Sequence, residues 1–398
     1  MSERPLRVLV LIHRQWDDSP YCAFVHDQVR ALRARGHDVV VIAPVGTLPL
    51  QGKLRPNAAR IARATPKRAV IDGVPVYYPR FLALGDVGER MFGGGLEARA
   101  AMGIAHRLHR FKPFDLLHAH MLDRDGHAGL FIARRLRIPM ALTVHGTDVM
   151  RYFGEGKMPT PRNLETARAV DGLMAVSERL LALVRPYRGD GLSAVIPNGV
   201  DTSQVDPTPV NPPRQILFVG ALRAQKCADA VLEAFVALAG DYPDARLTIA
   251  GEGEERGALE RRVREAGMSE RVRLTGRLPR EQVLRLMAQS DVFAMPSRKE
   301  GFGIVYLEAM ASGCVTIGSR GEGIDGVIRD GENGLLVPAG DARAVETALR
   351  RAFDAPDRMR ALRERARADA LSFTWERNAQ ETETFYRRVL SRSAGHAR

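Results

Sequence analysis

The 398 residues suffice for two domains, and a composition of 45% hydrophobic and 27% charged residues is typical of a globular protein. No stretch approaches the roughly 18 apolar residues of a membrane span, and the apolar run near the N-terminus is too short for a signal peptide. Ten of the twelve net positive charges fall within residues 1–205, which favours a phosphate-bearing partner, whereas 6% aromatic residues without an RNA-binding pattern argue against nucleic acid.

Short apolar runs alternate with amphipathic segments in the first half of the chain. The pattern predicts helices at 23–35 and 96–110, an irregular basic segment at 46–73, and strands at 7–12, 38–43, 74–78, 116–119, 140–144, 172–176 and 193–196. This alternation of strands and helices is typical of a mostly parallel sheet that helices cover on both faces.

The second half repeats this rhythm after a linker. Residues 201–214 contain four prolines and no hydrophobic period. Beyond them we predict helices at 228–239 and 254–266 and strands at 215–219, 246–250, 272–275, 292–295 and 315–317. The prediction is therefore α/β: an N-terminal Rossmann-like domain, residues 1–203, and a C-terminal one, residues 212–371, with a last helix, residues 372–392, crossing back onto the first. Ligands of such sheets bind beyond the carboxyl ends of the strands, so the expected site is the cleft between the domains.

The most informative segment is MPSRKEGFGIVYLEAMASG, residues 295–313, which runs from a strand through a glycine turn into a helix. Gly301 and Gly303 let the backbone approach a ligand closely. The free N–H groups and the positive dipole at the start of the helix suit a diphosphate. Glu300 can reach a sugar hydroxyl, and Glu308 can accept both hydroxyls of a ribose.

Glu300 and Glu308, eight residues apart around GFG, resemble the paired-glutamate motif of the retaining GT-B glycosyltransferases of family 4. Other segments resemble the same family over nearly the whole chain: IPNGVD (196–201), FVG (218–220) with Lys226, AGEG (250–253), LTGRL (274–278), DVF (291–293), DGENGLLV (330–337) and SFTW (372–375). The resemblance implies a GT-B fold, with two Rossmann-like domains facing a deep cleft, and a UDP- or GDP-linked sugar as the donor.

The resemblance also implies a donor site in the C-terminal domain. The expected donor-binding residues are Asn198, Gly220, Arg223, Lys226, Gly251, Arg277, Gly301, Phe302, Gly303, Ile304 and Glu308. Lys226 and Arg223 would neutralise the departing diphosphate, so neither a metal nor a cofactor is expected. The family commonly has arginine where this chain has Ala221, and we expect Arg223 to replace it.

Two histidine segments end strands of the first half, DLLHAH at 115–120 and TVHGTD at 143–148. The resemblance implies that His120 contacts the transferred sugar or the acceptor, and that His145 and Asp148 border the acceptor. Together with Glu300 they form the predicted catalytic group, whereas a structural role is the better interpretation of His118. The loop at 17–22 departs from the family, whose members often have glycines after the first strand.

The implied reaction is transfer with retention through an oxocarbenium-like state after domain closure. Glu300 would orient the donor sugar, and the departing diphosphate would take the acceptor proton. The basic first half favours a lipid-linked or cell-envelope glycan precursor as acceptor, and hence a cytoplasmic enzyme at an anionic membrane surface.

Several alternatives remain open from the sequence. Another GT-B enzyme could be a sugar-nucleotide epimerase or a phosphorylase, although the usual context of a phosphorylase's pyridoxal lysine is absent. A non-catalytic protein could bind a sugar nucleotide. A metal hydrolase could use His118, His120 and His127 as ligands.

Overall fold

The computed structural model describes residues 4–13, 16, 23–47, 60, 62–83, 94–154, 156–201 and 214–396. The atypical loop at 17–22 and nearly all of the predicted linker therefore lie outside the described residues. The chain divides into two compact units, a first unit of Met1–Gly199 with Trp375–Arg398 and a second unit of Val200–Thr374.

The first unit has helices on an eight-stranded sheet. The strands of the first unit are β1 (Arg7–Leu11), β2 (Asp38–Ile42), β3 (Val45–Thr47), β4 (Arg68–Ile71), β5 (Val74–Tyr77), β6 (Arg80–Leu82), β7 (Leu116–His120), β8 (Met140–Val144), β9 (Gly172–Ala175) and β10 (Leu192–Val195). All of them except β3 and β6, which pair with each other, belong to the eight-stranded sheet. Its helices are α1 (Ala23–Ala34), α2 (Gly95–Phe111), α3 (Arg124–Leu136), α4 (Thr147–Phe153), α5 (Pro161–Ala169) and α6 (Glu178–Val184), together with the C-terminal helix. The sheet order is β10-β9-β8-β7-β1-β2-β5-β4, and only the β4–β5 pair is antiparallel.

The C-terminal helix of the chain, Trp375–His396, packs on this first unit against α1. Gln28 of α1 donates hydrogen bonds to Asn378 and Thr382. Gly172 of β9 leaves room for the helix, because a Cβ at that position would lie 2.5 Å from Val389. The glycine therefore allows close packing of the helix on the sheet.

The expectation that residues 46–73 are irregular is wrong for part of that segment. β4 occupies Arg68–Ile71 at the antiparallel edge of the sheet, and the three residues of β3 pair with β6. Both strands are too short to show a hydrophobic period, and β4 is only half covered. Pairing with neighbouring strands, which local sequence does not reveal, creates them.

The second unit has a six-stranded parallel sheet. Its strands are β11 (Gln215–Val219), β12 (Arg246–Ala250), β13 (Val272–Gly276), β14 (Val292–Ala294), β15 (Val315–Ser319) and β16 (Leu335–Val337). Its helices are α7 (Ala228–Leu238), α8 (Arg256–Glu265), α9 (Arg280–Ala288), α10 (Ile304–Ala311), α11 (Ala342–Asp354) and α12 (Pro356–Leu371). The C-terminal helix Trp375–His396, which belongs to the first unit, is called α13. The sheet order is β13-β12-β11-β14-β15-β16. β16, α9, α11 and α12 were not among the predicted elements.

Both sheets have a topological switch point, where the chain order of the strands reverses. It lies between β1 and β7 in the first unit and between β11 and β14 in the second. A crevice opens at such a point beyond the carboxyl ends of the two strands, which makes it the usual ligand site of a doubly wound sheet. The side chains that follow these four strands are therefore the first to consider.

Candidate active-site residues of the two units

Lys226 and Glu300 follow the two strands at the switch point of the second unit. Lys226 ends a short 3-10 turn after β11, and Glu300 follows β14. Lys226 Nζ lies 2.5 Å from Glu300 Oε2, and the two side chains are 30% and 12% exposed. The sheet thus brings together two predicted site residues that are 74 positions apart in sequence.

The turn after Glu300 is shaped by its glycines and by Tyr306. Gly303 has a φ of 84°, and a Cβ there would lie 2.5 Å from the Tyr306 ring. The buried Tyr306 hydroxyl donates to Met295 O at 2.6 Å and lies 3.0 Å from Ser297 Oγ. Tyr306 thus holds the turn at the end of β14. Phe302 is buried, whereas Ile304 is half-buried at the start of the helix.

Helix α10 begins at Ile304 without a side-chain cap and without an acidic residue in its first turn. The N–H of Tyr306 donates to Gly303 O at 3.0 Å, so the N–H groups of Ile304 and Val305, with the positive end of the dipole, are the ones that an anion can approach. These amides lie close in sequence to Glu300, whose carboxylate holds the Lys226 ammonium. The arrangement offers both charge and N–H donors to a phosphate group.

Glu308 lies one turn further into α10 and is 14% exposed. Its Oε1 accepts a hydrogen bond from Arg280 Nε at 3.1 Å. The sequence prediction did not include Arg280, because no local signal joins residues that lie 28 positions apart. Arg280 thus contacts one oxygen of the Glu308 carboxylate and favours the observed orientation of that side chain.

Gly220 and Gly251 belong to adjoining loops that follow β11 and β12. A Cβ on Gly251 would lie 1.8 Å from Gly220 O, and one on Gly253 would lie 2.2 Å from Leu222 O. The glycines at 251 and 253 are thus explained by packing of one loop on the other. Arg223, in the loop after β11, and Arg277, directly after β13, are both exposed.

Asn198 lies in the first unit, two positions after Ile196, and is 8% exposed. Its neighbour Pro197 accepts a hydrogen bond from Asn378 of α13 through its carbonyl oxygen. The structure therefore places this predicted donor-binding residue on the α13 side of the first unit.

His120, the last residue of β7, and His145, which follows the adjacent strand β8, contact each other. His120 Nδ1 lies 3.0 Å from His145 Nε2. Among the described residues His120 Nε2 has no hydrogen-bond partner although it is buried. Burial lowers the pKa of His120 well below 6.5 and that of His145 to about 3, so both rings are neutral at physiological pH.

His118 is a structural residue in the core. Its Nε2 lies 2.8 Å from Thr143 Oγ1, and its Nδ1 lies 2.7 Å from the Tyr386 hydroxyl of α13. Burial lowers its pKa to about 3. The His118 ring also packs against the His120 ring, with 4.1 Å between the centroids. His118, which α13 holds through Tyr386, therefore helps to fix the position of the His120 ring.

The Asp148 carboxylate accepts hydrogen bonds from the backbone. Its two oxygens accept hydrogen bonds from the N–H groups of Leu122, His145 and Gly146, at 2.9, 3.2 and 2.8 Å. It joins the loops after β7 and β8, which carry His120 and His145. Burial raises the pKa of Asp148 to about 6.

We predict that Asp148→Ala lowers the free energy of unfolding by about 2–4 kcal/mol, because three buried N–H groups lose their acceptor. Asp148→Asn, which keeps one acceptor oxygen, should lose less than half of that amount. Urea unfolding of the variants and of the control Asp190→Ala, at an exposed aspartate, measures the difference. Equal stability of Asp148→Ala and the control would show that these bonds contribute nothing.

Sequence reasoning missed a buried acidic cluster at the switch point of the first unit. Asp125, in the first turn of α3, has Oδ2 2.8 Å from His13 Nδ1 just beyond β1. Asp125 is fully buried, and Glu97 of α2 is 1% exposed beside it. Burial raises the pKa of both carboxyls well above their usual values. The burial of both carboxyls thus favours their protonated forms in the folded protein.

The Glu97 proton has a consequence for stability. Because the folded state holds this proton more tightly than the unfolded chain, the free energy of unfolding should fall as pH rises above 4.5, the usual pKa of glutamate. Glu97→Gln keeps the size of the side chain without titrating, so the stability of this variant relative to the wild type should grow with pH. Urea unfolding between about pH 5 and pH 8 tests this, with the exposed Glu281→Gln as control. A constant difference between Glu97→Gln and the wild type would contradict it.

Among the described residues, the three histidines of the metal-hydrolase alternative are not grouped as ligands. His127 Nδ1 lies 2.6 Å from Thr166 Oγ1, and its Nε2 lies 3.1 Å from Asn163 Oδ1. Both ring nitrogens therefore have other partners, and His127 does not act as a third ligand beside His118 and His120. Within the described ranges, no three histidine, cysteine, aspartate or glutamate side chains are grouped as metal ligands. None of the helices in that part of the chain combines the length and apolar character needed to cross a bilayer.

Comparison with known families identifies the class of protein. The model of "Glycosyltransferase Family 4" matches residues 23–204, and that of "Glycosyl transferases group 1" matches residues 201–369. The two matches meet at the boundary between the units and together span residues 23–369. The chain belongs to glycosyltransferase family 4 and has the GT-B fold.

Individual relatives agree with this assignment. The chain is 29% identical to the glycogen synthase of Mycobacterium tuberculosis over 390 residues, which cover 91% of this chain and 89% of that protein. Among solved structures it is similar to sucrose-phosphate synthase from Thermosynechococcus elongatus, with a TM-score of 0.74, 20% identity and coverage of 97% and 99%. It is also similar to Anabaena Alr3699/HepE solved with UDP-glucose, with a TM-score of 0.69, 17% identity and coverage of 95% and 99%.

Proposed function

We propose that this glycosyltransferase moves a sugar from a UDP- or GDP-sugar, with retention of anomeric configuration and without a metal ion. The acceptor is a glycan precursor, lipid-linked or of the cell envelope. The observation that carries the proposal is the Lys226–Glu300 pair beside the uncapped start of α10, at the switch point of the second unit. The UDP-glucose complex of a protein with this fold and the glycogen synthase relative support the class of donor.

The proposed chemistry places positive charge where the leaving group gains negative charge. When the bond between the sugar and the diphosphate breaks, the departing oxygen becomes anionic. Lys226, Arg223 and the first amides of α10 stabilise that oxygen without a Lewis acid. The diphosphate takes the proton of the acceptor hydroxyl as the new glycosidic bond forms on the same face.

Glu300 serves in this mechanism to orient the sugar. Its Oε2 is held by Lys226 at 2.5 Å, with Ser297 Oγ at 3.4 Å from the same oxygen. A carboxylate so engaged is a poor nucleophile but a well-fixed acceptor for sugar hydroxyls. His120, whose buried Nε2 lacks a partner among the described residues, provides a neutral polar contact to the sugar or the acceptor.

The membrane part of the proposal rests on the end of α2. Phe111 is 87% exposed there, next to the exposed Arg107, Arg110 and Lys112. An apolar side chain among cations suits the surface of an anionic bilayer. Vesicles containing phosphatidylserine should bind the protein at low salt and bind Arg110→Glu less, with Arg261→Glu of the second unit as the charge-matched control. Equal binding by the two variants would remove this surface from the proposal.

The direct test of the function is a panel of UDP-, GDP- and ADP-sugars. We expect a UDP- or GDP-sugar to be hydrolysed slowly without acceptor, releasing nucleoside diphosphate, and NMR of the first-formed product to show the donor's anomeric configuration. Activity should survive chelation by EDTA. An epimerised donor would instead identify an epimerase, and tight binding of a donor without release across all acceptors would identify a binding protein.

A further inference from the structure

The loop between β15 and β16 contains a buried carboxylate that no part of the mechanism has used. Glu322 is 8% exposed and lies three residues beyond the end of β15. Its Oε2 accepts a hydrogen bond of 2.7 Å from the backbone N–H of Glu300. A side chain 22 positions away in sequence is thus attached to the residue that orients the donor sugar in the proposed mechanism.

The same loop also holds the other polar group of the Glu300 backbone. Gly323 N donates to Glu300 O at 3.0 Å. The contact is close enough that a Cβ on Gly323 would lie 2.1 Å from Gly301 O. Consecutive residues, Glu322 and Gly323, therefore fix the N–H and the C=O of Glu300 together.

The segment around Glu300 has a backbone conformation that depends on contacts with other parts of the chain. Lys299, just before Glu300, has a φ of 58°, and Gly303 has a φ of 84°. A left-handed non-glycine residue costs roughly 1 kcal/mol, so the local chain alone favours other conformations. Contacts such as those of Glu322 stabilise the observed one.

The carboxylate of Glu300 has little freedom once its backbone is fixed. It must meet Lys226 Nζ on one side and the donor sugar on the other. A displacement of about 1 Å in a group that orients a substrate can cost roughly 100-fold in rate. The backbone position of Glu300 therefore matters for turnover much more than for binding of the nucleotide.

We propose that Glu322 is a positioning residue, which fixes the backbone of Glu300 and thereby the contact between its carboxylate and the donor sugar. The inference rests on the proposed function. Glu322 acts through Glu300, so its loss affects the steps that involve the sugar and leaves the contacts of the nucleoside diphosphate in place.

The test compares Glu322→Ala, Glu322→Asp and Glu322→Gln in the full chain. Glu322→Ala removes the acceptor, and Glu322→Asp withdraws it by one methylene; both should lower kcat for the preferred sugar nucleotide by roughly 10- to 100-fold. Glu322→Gln keeps a carbonyl oxygen for the Glu300 N–H and should stay within about threefold of the wild type. The dissociation constant of the nucleoside diphosphate should be unchanged in all three.

Asp325→Ala is the matched control, because Asp325 belongs to the same loop and accepts a bond from Gly321 N at 2.6 Å without contacting Glu300. Equal kcat in Glu322→Ala and Asp325→Ala would overturn the inference, as would an equal loss in Glu322→Gln and Glu322→Ala. If Glu322→Ala fails to fold, Glu322→Asp against Glu322→Gln decides in the same way. Absence of turnover in the wild type with every sugar nucleotide is the separate result that rejects the proposed function.

Discussion

Glu300→Gln should lower the rate of sugar transfer by roughly 100- to 1,000-fold while the nucleoside diphosphate still binds. The glutamine keeps the size of the side chain but loses the charge that holds Lys226 Nζ at 2.5 Å. The sugar hydroxyls then lose their charged acceptor, whereas the Lys226 ammonium stays available to the diphosphate, so the cost falls on the reacting complex rather than on binding of the nucleotide.

The measurement is kcat from released nucleoside diphosphate, with its dissociation constant determined in parallel. Glu281→Gln is the control, because Glu281 is an exposed glutamate paired with Arg285 on α9. Such a surface pair contributes little, so the control should keep wild-type kinetics. Full activity in Glu300→Gln would remove this residue from the site.

His120→Ala should lower kcat by about 100-fold, the second large effect that the structure predicts. The ring is fully buried, and its Nε2 is the polar atom left for a substrate. Since burial lowers the pKa of His120 well below 6.5, its charge does not change between pH 6 and pH 9. The pH profile of kcat should therefore show no ionisation near 6.5 from this histidine.

The exposed His106 of α2 provides the control for the second prediction. His106→Ala should leave both kcat and the pH profile unchanged. A His120→Ala enzyme with wild-type turnover would contradict the prediction, as would a wild-type profile whose limb near pH 6.5 disappears in His120→Ala.

The sequence predicted most of the architecture because strands that are buried on both faces form continuous apolar runs. β1, β7 and β8 are each buried along their whole length, and their bounds were predicted to within one residue. The edge elements β3, β4 and β6 escaped prediction because they are short and partly exposed. Their structure depends on pairing partners rather than on a local pattern.

The same difference between local and long-range contacts applies to the candidate site residues. Glu300 and Glu308 are close in sequence, so a local motif reveals them. Tyr386 meets His118 across 268 positions, and no local pattern indicates that pair. The motif does not reveal Arg280, which contacts the Glu308 carboxylate, or Glu322, which accepts a hydrogen bond from the backbone N–H of Glu300.

Calorimetric titration of UDP and GDP into the wild type and Lys226→Ala shows whether Lys226 binds the diphosphate, on which the proposed donor site depends. We expect the preferred nucleoside diphosphate to bind roughly 10- to 100-fold more weakly to Lys226→Ala, and the corresponding monophosphate to bind both proteins weakly. Equal affinity of the wild type and Lys226→Ala for the diphosphate would contradict the account.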